Sequence, residues 1–138
     1  MSEQTHVLIV SDRMAHVKAL LGILNTLPIN VYVASTLKQA KSVLGSQAFA
    51  VVFCDERMPG GSYRELLGLP PPAHDGKPSQ LVVTLQTGEW DEYLQAIDSG
   101  AFEAIRCPVE ANEVVTALVH ATRNRLQTAG QRRLQMSA

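Results

Sequence analysis

The stretch Ala50-Val51-Val52-Phe53-Cys54, followed by Asp55-Glu56-Arg57-Met58-Pro59-Gly60, decides the fold. An unbroken apolar run of this length is what a strand covered on both faces needs, and such strands belong to parallel sheets flanked by helices. The acid that closes the run stands where a buried strand surfaces and a turn begins. In open parallel sheets the carboxyl ends of the strands line the crevice where ligands bind, and an Asp there can hold a metal ion or act as a nucleophile. The same context recurs upstream, where Val7-Leu8-Ile9-Val10 runs into Ser11-Asp12.

Outward from this run, the chain alternates strand and helix. Strands are predicted at His6 to Val10, Val31 to Ala34, Ala50 to Cys54, Leu81 to Leu85 and Ala104 to Arg106. The first intervening helix carries Val17, Leu20, Leu21 and Leu24 on one face and ends before Pro28. The second spans Thr36 to Leu44, with Gly45 placed to end it. A short third helix starts at Ser62, where Ser62-Tyr63-Arg64-Glu65 reads as a capping box, and Gly68 and Pro70-Pro71-Pro72 stop it. The fourth, Asp91 to Ser99, sets Trp90, Leu94 and Ile97 on one side, with Gly100 after its end. The fifth, Glu110 to Asn124, turns Val115, Leu118 and Val119 inward. Five such units make a single doubly wound α/β domain with a parallel five-stranded sheet and five helices. The Pro-rich connection 68–80, containing Ala73-His74-Asp75-Gly76-Lys77, is expected to be mobile, and residues 125–138 form a tail or the stub of a linker.

Composition narrows the class. With 138 residues and 46% hydrophobic content the chain suits one domain with a full core. A formal net charge of −1 lacks the basic footprint of direct nucleic-acid binding. No apolar stretch is long enough to span a membrane and Met1-Ser2-Glu3-Gln4 has no export signal, so a cytoplasmic location without membrane contact is expected. Cys54 and Cys107 each end a strand; with one strand between theirs the separation is roughly 9 to 10 Å, beyond a disulfide's reach, so both are expected as reduced thiols. An activated thiol would need a neighbouring base, and the spacing of His6, His16, His74 and His120 puts none beside either cysteine. The histidines read as surface or packing residues. Trp90 and Tyr93 read as core rather than as partner contacts.

The apolar strand ending in acid, the strand-Asp-x-x-Met-Pro-Gly segment, the pair Gly100-Ala101 and the Cys107-Pro108 step occur in the order and spacing of one family. Over residues 5–124 the chain resembles a response regulator receiver domain, the CheY-like family of bacterial two-component signalling. The resemblance implies a flavodoxin-like sheet of order 2-1-3-4-5. It also implies that Asp55 accepts a phosphoryl group from a histidine kinase or phosphotransfer protein. Mg²⁺ would be held by Asp12, Asp55 and the backbone carbonyl of Arg57, offsetting the repulsion between the acceptor and the incoming phosphoryl group. Taken singly, Asp55 starts a turn and Asp12 caps a helix; taken together, they read as one site. Signals would pass to a protein partner or a second copy through the helix 4, strand 5, helix 5 face. No enzymatic activity is implied beyond weak self-phosphorylation and dephosphorylation.

Four positions depart from the family pattern. Ser11 replaces the first of two adjacent acids, and Cys107 replaces the Lys that contacts the phosphoryl oxygens. Counted back from Gly100, the switch Thr or Ser position falls on Leu85, with Thr84 and Thr87 nearby, and alternation sends Thr84 to the other face. The switch aromatic falls on Ala104. Losing an acid and a Lys together leaves the metal-free pocket's formal charge at −2, and Arg57 or Arg13 could supply a substitute cation, although both also read as solvated surface arginines. Two functions follow: a phosphoacceptor switch on Asp55, or a phosphorylation-independent pseudo-receiver that binds partners or dimerises.

Overall fold

The computed structural model describes residues 5–69 and 79–137, with side chains described through Asn124. Strand β1 (Thr5–Val10) leads into helix α1 (Met14–Leu24), β2 (Ile29–Ala34), α2 (Leu37–Ser46) and β3 (Val51–Asp55). A small hairpin pairs Arg57–Met58 with Gly61–Ser62 and runs into a 3-10 turn, Tyr63–Leu66. Then come β4 (Gln80–Leu85), α3 (Trp90–Ser99), β5 (Glu103–Arg106) and α4 (Ala111–Ser137). The five long strands are parallel, in the order β2-β1-β3-β4-β5. Most of the 68–80 connection, residues 70–78, lies outside the described residues.

Side-chain alternation splits the core into two layers. Leu8, Val10, Val52, Cys54, Val83 and Leu85 pack on the side of α2, the 3-10 turn and α3. Val7, Ile9, Val51, Phe53 and Val82 pack against Val17, Leu20 and Leu24 of α1 and Val114, Ala117, Leu118 and Ala121 of α4. The register pairs Asp55 with Thr84. Both fall on the parity of Phe53 and Val82, so their side chains emerge on the α1 and α4 side at the carboxyl edge of the sheet.

Several local expectations are corrected. Among the described residues there are four α-helices rather than five: the segment begun by Ser62, whose Oγ accepts from the Arg64 N–H at 3.3 Å, makes only the four-residue 3-10 turn before Gly68 takes a left-handed φ of 75°. Helix α2 is capped by Thr36 as its sequence implies, but it continues through Gly45 to Ser46 because Gly45 keeps an ordinary negative φ. On α3 the buried residue is Ala96, while Trp90 and Leu94 are exposed and Trp90 stacks on Tyr93 at 5.2 Å. A small residue faces the sheet there because α3 packs closely over Ala101 and Ala104. On α4, Leu118 is inward as expected, but Val114, Ala117 and Ala121 complete its face, and Val119 is exposed. The α4 backbone stays helical past Asn124 to Ser137. Among the described residues no helix is long and apolar enough to cross a membrane.

Phe53 is 1% exposed at the centre of the sheet. Phe53→Ala is expected to lower unfolding stability by about 3–5 kcal/mol in urea titration, whereas Val119→Ala, on the outer face of α4, should leave the midpoint nearly unchanged.

Candidate functional site

Asp55 ends β3 with its side chain 1% exposed, and four groups satisfy its carboxylate. Ser11, one residue beyond β1, donates to Oδ2 at 2.7 Å. Arg13 lays its guanidinium along both oxygens, Nε to Oδ2 at 3.3 Å and Nη2 to Oδ1 at 3.4 Å. His16, in the first turn of α1, brings Nε2 to 3.2 Å from Oδ1. The Thr84 hydroxyl lies 2.9 Å from Oδ1 and 3.3 Å from the Cys54 carbonyl; its single proton goes to the nearer, charged oxygen. It then accepts from His16 Nε2 at 3.2 Å. Cys107 closes the group from the end of β5, its Sγ 3.6 Å from Arg13 Nη2 and 3.7 Å from His16 Nδ1.

Local sequence explains the convergence. The Arg13 N–H is tied to Ser11 Oγ at 3.1 Å, which turns the chain from β1 into α1 with Arg13 at the N-cap. His16 precedes Leu20 by four residues and so shares the inward face of α1, one turn closer to the sheet edge.

The charges adjust to one another. Burial alone would raise the Asp55 pKa, but hydrogen bonds from His16, Arg13, Ser11 and Thr84 hold it at about 2. Burial would likewise discharge His16, yet its contacts with Asp55 and Cys107 push it up to about 9. The Cys107 thiol is held below its ordinary value because His16 and Arg13 outweigh the opposing effect of burial. Cys54, fully buried, is pushed up by burial first and by the Asp55 charge second. Both cysteines are free, with β4 between their strands.

No protein-family model and no curated protein matches the sequence. Solved structures do match the fold. The signal receiver domain of an HD domain-containing protein from Pseudomonas fluorescens Pf-5 superposes with a TM-score of 0.80 at 19% identity, covering 94% of this chain and 95% of that one. The CheY-like response regulator receiver domain protein from Methanospirillum hungatei JF-1 gives 0.76 at 19% identity, covering 91% and 99%. The beryllofluoride-activated NtrC4 receiver domain, a dimer, gives 0.75 at 24% identity, covering 87% and 98%. The chain has the fold of a response regulator receiver domain.

Against the receiver pattern, Asp55 stands at the end of the third strand, and the residues around it differ from those expected. Asp12 is exposed, and none of the groups touching Asp55 comes from it. Arg57 is exposed on the hairpin, and the guanidinium beside Asp55 is that of Arg13. Leu85 is buried in the opposite layer, and the hydroxyl beside Asp55 comes from Thr84, so alternation places Thr84 at the site rather than away from it. Thr87 instead bonds Glu92 on the surface. Ala104 is buried under α3, and Cys107 lies beside Arg13 and His16. His16, a surface or packing residue by sequence spacing, lies inside the cluster between Asp55 and Cys107. Its position on the Val17, Leu20, Leu24 face of α1 was the available signal.

The donor set does not fit the magnesium centre that the resemblance implies. Mg²⁺ needs carboxylate oxygens at about 2.0–2.1 Å with room for water around it. Oδ1 of Asp55 already accepts from the His16 imidazole and the Arg13 guanidinium, and Oδ2 from Arg13 and Ser11, and a dication beside those two cations would meet repulsion rather than relief.

The His16 pKa stands above its ordinary value, so its contribution to stability is complete below about pH 6.5 and is lost as pH rises through about 9. Asp55, held down, contributes above its ordinary value and loses that contribution only as pH falls toward about 2. Urea midpoints should therefore fall between mildly acidic pH and pH values above 9 in the wild type, by an amount on the order of 2–3 kcal/mol, and His16→Asn should flatten that limb.

Proposed function

We propose that this chain is a receiver module of two-component signalling that works through protein–protein contact and does not depend on magnesium-assisted phosphorylation of Asp55. One observation carries this reading: the acceptor carboxylate is 1% exposed and its charge is already answered by Arg13 and His16. The phosphoryl donor and metal of the general receiver scheme would both have to displace these groups. A carboxylate with this many charge-assisted bonds gains little from a further cation.

Partner contact is assigned to the face formed by α3, β5 and α4, which corresponds to the helix 4, strand 5, helix 5 face of the receiver pattern. A cavity of about 560 Å³ opens there, lined among others by Trp90, Tyr93, Phe102 and Ala104. Trp90 is 68% exposed, and a stacked aromatic pair beside an apolar hollow is the kind of anchor that protein interfaces use. Ala104 leaves this hollow unfilled where the receiver pattern has its switch aromatic.

A second reading, phosphoryl transfer to Asp55 from a histidine kinase or phosphotransfer protein, is favoured by one feature. Asp55 is ionised, and the Arg13 side chain that covers it is itself 37% exposed, the least confined of its partners. In that case Arg13 and His16 would supply the counter-charge.

Intact mass after incubation with a small-molecule phosphodonor, with and without Mg²⁺, separates the two. No adduct is expected on the wild type under either condition. An adduct that disappears in Asp55→Asn would overturn the proposal in favour of phosphoryl transfer.

A further inference from the structure

The chain Asp55, His16, Cys107 has a chemical consequence independent of signalling output. His16 Nε2 lies 3.2 Å from Asp55 Oδ1, and Nδ1 on the other side of the same ring lies 3.7 Å from Cys107 Sγ. A carboxylate thus fixes the orientation of an imidazolium whose other nitrogen faces a thiol, and Arg13 Nη2 approaches the same sulfur at 3.6 Å. Two cationic donors converge on one sulfur, and the thiol keeps access to solvent. Cys107 is half-buried and lines a cavity of about 230 Å³ together with Arg106, Glu110 and Glu113.

We propose that Cys107 is a reactive thiol that hydrogen peroxide oxidises to a sulfenic acid, with His16 as the group that pairs with its thiolate and protonates the departing oxygen, and Asp55 as its positioning residue. His16 is already an imidazolium, so the thiol proton leaves to solvent and the thiolate pairs with the Nδ1–H of His16. The Cys107 sulfur attacks one peroxide oxygen, forming the S–O bond as the O–O bond breaks; sulfur loses two electrons and the peroxide gains them. The departing hydroxide takes the Nδ1 proton of His16 and leaves as water. The imidazole is left neutral with its remaining proton on Nε2, facing Asp55 and Thr84, and the ring later recovers a proton from solvent. The cavity suits a small neutral oxidant because its lining carries one guanidinium and two carboxylates, with no uniform positive field to draw an anionic electrophile.

The lowered Cys107 pKa agrees with this geometry, and the raised Cys54 pKa makes that buried thiol an internal control. Reactive cysteines sit in partly exposed, electropositive surroundings, whereas buried ones are inert.

The test is performed on the whole chain. Wild type treated with hydrogen peroxide in the presence of dimedone should gain one adduct, mapped by peptide mass spectrometry to Cys107, with none on Cys54 and none in Cys107→Ser. Without any variant, iodoacetamide at mildly acidic pH should alkylate Cys107 about fivefold faster than free glutathione, the gain in thiolate population exceeding the loss of intrinsic nucleophilicity. His16→Asn, confirmed folded by circular dichroism, should bring that rate down to the glutathione level. A wild-type rate at or below that of glutathione, or labelling on Cys54 in place of Cys107, would overturn the proposal. Neither outcome depends on whether Asp55 accepts a phosphoryl group.

Discussion

A carboxylate withdrawn from water at the end of a buried strand must be answered by charge and hydrogen bonds or it will not stay ionised. Asp55 is answered fully. Ser11, Arg13, His16 and Thr84 come from three different elements, the β1 to α1 turn, the first turn of α1 and the end of β4, and all point at two oxygen atoms. The sheet edge is organised around this convergence. The turn out of β1 is held by the Arg13 N–H on Ser11, and the inward face of α1 opens with a histidine instead of an apolar residue.

The sum of charges in the pocket explains why the site can differ from its relatives in fold. Two acids without a Lys would give −2 in the absence of metal. The actual cluster leaves Asp12 in solvent and sets the Asp55 carboxylate against the Arg13 guanidinium and the His16 imidazolium, with the Cys107 thiol, held below its ordinary pKa, beside both cations. Buried ion pairs of this kind contribute more to a defined geometry than to net stability, and here the geometry they define aims an imidazole at a thiol.

Much of the fold was legible because it follows from period and punctuation. The apolar runs located all five strands, the placement of Asp55 at the end of β3 followed from one of them, and the sheet order agreed with the resemblance. The losses have physical causes. The segment after Ser62 has a cap but only four residues before Gly68 and the prolines, too few for an α-helix. Trp90 looked like core by its spacing, yet α3 approaches the sheet through Ala96, and size rather than period decided which residue faces inward. Counting from Gly100 selected Leu85, and only the β3 to β4 register reveals that Thr84 shares a face with Asp55. The Cys107–His16 contact spans 91 residues. Spacing along the chain cannot carry such a contact; the inward face of α1 carried half of it, and the position of β5 the other half.

Nitrogen-15 NMR of the His16 ring reports the central interaction without perturbing it. An imidazolium that persists to about pH 9, and that titrates lower in Asp55→Asn, is the expected result. A ring that loses its proton near the ordinary value of about 6.5, with no response to Asp55→Asn, would mean that Asp55 is not paired with His16 and that the cluster described here does not form.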